Sequence, residues 1–109
     1  MIDESTVEQA LHSMRVQAEN LAKAKGERVY LEQYRKTQKA LLVQEAKGTI
    51  LEKEAYAYSH PDYILNLESL RDAVQEEERL RWSMVAAQAT VEVYRTQQAN
   101  NRMIDRNHT

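Results

Sequence analysis

The sequence predicts an all-α protein: a long antiparallel helical hairpin of coiled-coil character with an additional N-terminal helix, assembled into an oligomeric bundle. Three observations predict it. Two Gly and one Pro in 109 residues leave few places where a helix must stop. Ala, Glu, Gln, Leu, Lys and Arg, which lose little on entering a helix, are abundant. Apolar residues recur at alternating spacings of three and four, which puts them on one helical stripe.

The first helix is expected over about 3–24, with Val7, Leu11, Met14, Ala18 and Leu21 on its stripe. Lys23-Ala24-Lys25-Gly26 resembles a helix stop, basic residues followed by glycine. A single interior glycine costs only about 1 kcal/mol, so a bend in a continuous helix is the alternative at Gly26. The second helix is expected over about 27–58, passing through Gly48 with at most a local kink. The third begins at the clearest local signal in the chain: Ser59 or His60 at the cap, Pro61 in the first turn and Asp62 at the positive helix end. It is expected to run to about 104, with Leu70, Ala73, Glu77, Leu80, Met84, Ala87, Val91, Tyr94 and Gln98 forming a heptad seam. The tail 105–109 is expected to fray, because apolar periodicity fades from Gln97 onward. The whole chain, 1–109, reads as a single helical domain.

A fold-back centred near residue 60 fixes a register. Leu31 should then lie beside Gln88 and Met14 beside Asp105, to within a turn. A thin hairpin leaves apolar stripe uncovered, so self-association is expected. Its interface would use Leu70, Leu80, Trp82, Met84, Val91 and Tyr94. Trp82 falls off the seam, where it suits an anchor between subunits or a stacking platform for a base.

Much chemistry is excluded. Without cysteine there is no disulfide framework, thiolate metal site or thiol nucleophile. His12, His60 and His108 are scattered, with no helical ligand pairs and no Glu-x-x-His motif. Phosphate-binding glycine loops, nucleophile elbows and dinucleotide fingerprints are missing. Glu76-Glu77-Glu78 reads as a solvated helix face rather than a cation site. No catalytic residue, metal or cofactor is therefore expected, and the chain is not expected to be an enzyme. No apolar run approaches the roughly 20 residues that span a bilayer, and the N-terminus lacks the basic start of a signal peptide, so a cytoplasmic location without membrane contact is expected.

The partition of charge is more informative than the formal net charge of -2. Lys23, Lys25, Arg28, Arg35, Lys36 and Lys39 are clustered, whereas Asp62 to Arg79 is mainly acidic. In the register above, Arg81 and Arg95 come alongside the basic segment, with Tyr30, Tyr34, Trp82 and Tyr94 at the same end. Cations interleaved with aromatics suit single-stranded nucleic acid, because phosphates need the first and unstacked bases the second. A salt-bridged helical surface explains the same residues, and Tyr34 and Tyr94 also fit core positions.

One resemblance bears on the choice. The basic, Tyr-containing segment from Lys25 to Lys39, then a turn, then a long heptad helix containing Glu77-Glu78-Arg79-Leu80-Arg81-Trp82, resembles the small helical recombination mediators of bacteriophages, the UvsY-like family. The likeness is one of pattern over about residues 23–101. It implies an oligomer that binds single-stranded DNA and assists recombinase loading in a phage-infected or lysogenic bacterium. By position, Lys25, Arg28, Arg35, Lys36 and Lys39 would be its DNA contacts. The alternative is a helical assembly, scaffold or adaptor protein whose exposed stripe docks a partner helix, such as a host factor.

Overall fold

The computed structural model describes residues 1–108, and the fold is all-α, with no strand among the described residues. Helix α1 spans Glu4–Glu45, α2 Ile50–Ser59 and α3 Pro61–His108. Asp3 caps α1: its Oδ1 accepts the Thr6 backbone N–H at 2.8 Å. That hydrogen bond from the Thr6 backbone holds the Asp3 carboxyl below its ordinary pKa.

Of the two glycines, the structure treats one as helix and the other as a break. At Gly26 α1 continues, so the stop expected near residue 24 does not occur. A Cβ there would meet nothing within 4 Å, and a cost of about 1 kcal/mol is smaller than that of ending a helix whose packed stripe continues beyond it. At Gly48 the expected continuous helix is interrupted. Gly48 has φ +114°, a conformation that L side chains rarely adopt. The next residue, Thr49, starts α2 with a capping box: its Oγ1 accepts the Glu52 N–H, and the Glu52 carboxylate accepts the Thr49 N–H, both at 3.2 Å. The sequence carried this signal as Gly-Thr-x-x-Glu.

The α3 start matches expectation. Pro61 is the first helical residue, and His60 Nδ1 accepts the Asp62 N–H at 3.1 Å. The far end does not fray as expected, for the helix runs to His108, and Gln97, Gln98 and Asn101 remain half-buried on its inner face. Thr109 lies outside the described residues.

The packing forms two units, one made of Met1–Leu21 and the part of α3 from Arg79 onward, the other of Ala22–Glu78. In the second unit, Leu42 and Tyr63 close around Ala57 of α2, which is fully buried, with Val43 against them. Tyr58 packs edge-on to Tyr63 at 5.4 Å, and Lys39 Nζ lies 4.5 Å from the Tyr58 ring centroid. The stretches of α1 and α3 run antiparallel here, with Gln38 accepting from Asn66 and Arg28 donating to Glu77. Those pairs correct the expected register by about two heptads. Gly48 and the cap at Thr49 divert the chain into α2 before α3 begins, so Ala46 to His60 drop out of the pairing.

In the first unit the Ile2 N–H donates to Gln97 Oε1 at 3.1 Å, and Met14 shares a groove with Gln88 and Val91 instead of meeting Asp105. The α3 seam read from the sequence is buried or half-buried throughout, from Leu70 to Gln98. On α1 the stripe differs in part. Val7, Met14 and Leu21 face inward as expected, but Ala10 and Gln17 join them in place of Leu11 and Ala18. Both sets obey three-four spacing. The observed set is in phase with Arg28, Leu31, Arg35, Gln38 and Leu42 further along the unbroken helix, and that continuity selects it.

Candidate interaction surfaces

Arg28 is held by two carboxylates. It occupies a seam position, its Nε and Nη2 donate to the Glu77 carboxylate, and its Nη1 donates to Glu32 at 3.0 Å, one turn along α1. Hydrogen bonding to Glu77, then to Glu32, raises its pKa. Glu77 is only 6% exposed, so the reading of Glu76-Glu77-Glu78 as a wholly solvated face is corrected at its central residue. The signal was present in the sequence, because Glu77 falls on the α3 heptad seam.

The remaining basic residues have different surroundings. Lys39 interacts with Tyr58, and hydrogen bonding to that residue raises its pKa. Arg35 is half-buried on the seam, and Lys25 and Lys36 are exposed on α1. Lys23 is exposed and engaged in a polar or ring contact, as is Arg81. Arg95 pairs with Glu92 at 3.1 Å, and both border the groove beside Met14 and Val91. The expected pooling of Lys23–Lys39 with Arg95 depended on the longer register. With Arg28 against Glu77, the basic stretch of α1 instead runs beside the acidic stretch of α3.

Tyr30 and Tyr34 are both exposed and stack in parallel, 5.9 Å apart with planes 5° from coplanar. Lys36 is six residues from Tyr30, which places it about 120° away around the helix. Lys23, seven residues from Tyr30, is on the tyrosine flank.

The residues expected at an oligomer interface fall into two groups. Leu80 and Val91 are buried within the chain, and Leu70, Met84 and Tyr94 are half-buried there. Trp82 is 64% exposed on the far side of α3, and Val85, Val93 and Met103 are exposed with it. A separate apolar group, Ile50, Leu51 and Leu65, is exposed around α2 and the start of α3. The groove near Met14 has a volume of about 340 Å³ and is lined by Leu11, Met14, Gln88, Val91, Glu92 and Arg95.

No group of three or more His, Asp or Glu suited to a metal ion occurs among the described residues. No described helix is long and apolar enough to cross a membrane. These features define a class: an all-α helical hairpin. Comparisons with protein-family models, curated proteins and solved structures find no match.

Proposed function

We propose that this chain is a non-catalytic helical assembly or adaptor protein that binds another helix through apolar side chains outside its own seam. The observation that carries the reading is Trp82, a large aromatic 64% exposed on a helix whose opposite face already packs within the chain. Exposed aromatics of this kind are typical interface anchors. The test is a photo-crosslinking amino acid at position 82, compared with one at buried Leu80, in the cells that make the protein. A discrete adduct from position 82 alone is the expected result. No discrete adduct, or the same products from both positions, would refute the reading.

A second reading is favoured by the stacked Tyr30–Tyr34 pair. It is the oligomeric, single-stranded-DNA-binding accessory protein of phage recombination or replication, assisting recombinase loading. Aromatic platforms of this kind contribute about 1–3 kcal/mol per stacked base. Fluorescence anisotropy with a labelled oligothymidine tests it. Binding should weaken with salt and be lost in Tyr30→Ala/Tyr34→Ala and in Lys25→Glu/Lys36→Glu. Absence of binding by the wild-type chain at low salt would end it.

A further inference from the structure

Beside its seam, α3 carries an edge rich in arginine. Arg81, Gln88, Arg95 and Arg102 follow one another at seven-residue steps, which keeps them on one side of the helix, and all four are exposed. Gln88 and Arg95 show where that edge faces. Both line the groove whose other wall is Leu11 and Met14 of α1 and whose floor includes buried Val91. The groove lies within a single compact unit.

In paired helices, the residues that flank the seam face the edge of the neighbouring helix, and opposite charges there select the partner. Opposite Gln88 and Arg95, α1 supplies no such charge: its wall is Leu11 and, seven residues on, Ala18, both exposed. Glu4, seven residues before Leu11, is the carboxylate at the far end of that edge. The arginines bond along their own helix instead. Arg95 pairs with Glu92 at 3.1 Å, and Arg102 donates to the Gln98 carbonyl oxygen at 3.4 Å.

We infer that this groove docks an acidic amphipathic helix of another protein, whose apolar stripe lies over Leu11, Met14, Ala18 and Val91 and whose carboxylates face the arginine edge. The site goes beyond the assembly reading, since Trp82 does not line it. Glu92 need not be displaced. A guanidinium has five donors, and Arg28 already serves two carboxylates at once, Glu32 and Glu77. Spacing favours a helix over a nucleic-acid strand. One heptad along α3 is about 10.5 Å, the interval at which a partner helix repeats a glutamate, whereas several phosphates of a strand fall within it. The groove also has no aromatic ring in its lining for a base to stack on.

The test uses the full chain and two labelled heptad peptides of about 28 residues, alike in their leucine core and differing in glutamate or lysine at the flanking positions. Fluorescence anisotropy should show the glutamate peptide binding about tenfold more tightly, with the preference shrinking as salt rises. Arg95→Glu/Arg102→Glu should invert the preference. Leu11→Gln should weaken both peptides, because it removes apolar surface from the wall. Should the double glutamate variant lose its helical circular dichroism, Arg95→Gln/Arg102→Gln should bring the two affinities together. Failure of the glutamate peptide to bind, equal affinity of the two peptides for wild type, a preference that survives the arginine substitutions, or no effect of Leu11→Gln overturns the proposal. Oligothymidine binding that needs Arg95 and Arg102, without uptake of the glutamate peptide, makes the edge a phosphate contact and overturns it as well. Crosslinking at position 82 reads the assembly proposal separately. An adduct there without peptide binding overturns the groove and retains the adaptor, and peptide binding without an adduct does the reverse.

Discussion

Replacing the Arg28–Glu77 pair separates what stabilises the hairpin from what sets its register. Glu77 is 6% exposed and receives two bonds from the Arg28 guanidinium. Glu77→Leu removes the acceptor for two of the Arg28 donors at a seam position. Loss of hydrogen bonds to a charged group costs about 1.5–3 kcal/mol. Because Arg28 can turn partly toward water and retains Glu32, a loss of about 1–2 kcal/mol is expected. For a chain of this length that lowers Tm by about 4–8 °C. Arg28→Leu/Glu77→Leu should recover that loss or exceed the wild type, since two leucines fill adjoining seam positions without desolvating charge. Register is a separate readout. A heptad seam is nearly indifferent to whole-heptad slips, and a two-heptad slip moves the paired helices by about 21 Å. Spin labels on α1 and α3, at Gln33 and Asp72, would report the double variant as one short distance if the Gln38–Asn66 bond and α2 hold the register, or as two populations if the ion pair was needed. Thermal melts by circular dichroism complete the assay. If Glu77→Leu alone melts at or above the wild-type temperature, the reasoning fails, because the buried carboxylate would then be no better than an apolar side chain in front of an unmatched arginine.

The two glycines should respond oppositely to alanine. Gly26→Ala adds a methyl in open space within a helix and should stabilise by about 0.5–1 kcal/mol, whereas Gly48→Ala forces a side chain into φ +114° and against the Glu52 carboxylate and should destabilise by about 1–3 kcal/mol. Urea titration measures both. Thr49→Ala removes the oxygen that caps α2 and should cost about 1 kcal/mol, with increased amide exchange at Glu52. Gln17 Oε1 is buried with no hydrogen-bond partner, so Gln17→Leu should stabilise by about 1 kcal/mol in the same titration. The Asp3 pKa is lowered in the folded chain, so its contribution is present above the ordinary carboxylate value of 3.8 and is lost as pH falls through the depressed one. The Thr6 amide resonance should follow that titration, and Asp3→Asn should abolish its response.

Fold class, the α3 seam and the helix start at Pro61 were legible because each rests on local physics: composition, three-four periodicity and a proline at the one helical position that tolerates it. Register was not legible from periodicity, because slipping α1 against α3 by whole heptads leaves apolar side chains opposite apolar side chains. What breaks the degeneracy is polar: Arg28 against Glu77, Gln38 against Asn66, and the Gly48-Thr49 break that inserts α2. Those residues could have been recognised as seam-breaking polar positions, and the capping box as a helix start, had each been weighed against the continuous stripe around it. The candidate surfaces depended on register more than on residue type. Arg28 has the composition of a phosphate contact but the position of an internal ion pair.

That dependence bears on how the two functional readings compare. A cation consumed by a carboxylate on its own hairpin releases few counterions when phosphate approaches, so the salt dependence of any DNA binding should come from Lys25, Lys36 and neighbouring cations rather than from the full basic segment. The log–log slope should accordingly be near that of two or three phosphate contacts, about -1.5 to -2 for a single strand. Arg28→Gln would leave that slope unchanged while lowering stability, whereas Lys36→Gln would reduce the slope by about 0.7 and leave stability alone. Salt titrations of oligothymidine binding and thermal melts on the two variants measure both quantities. A reduced slope in Arg28→Gln would mean that the arginine reaches phosphate despite Glu77, and the seam ion pair would then be an alternative state of a nucleic-acid contact rather than a fixed part of the fold.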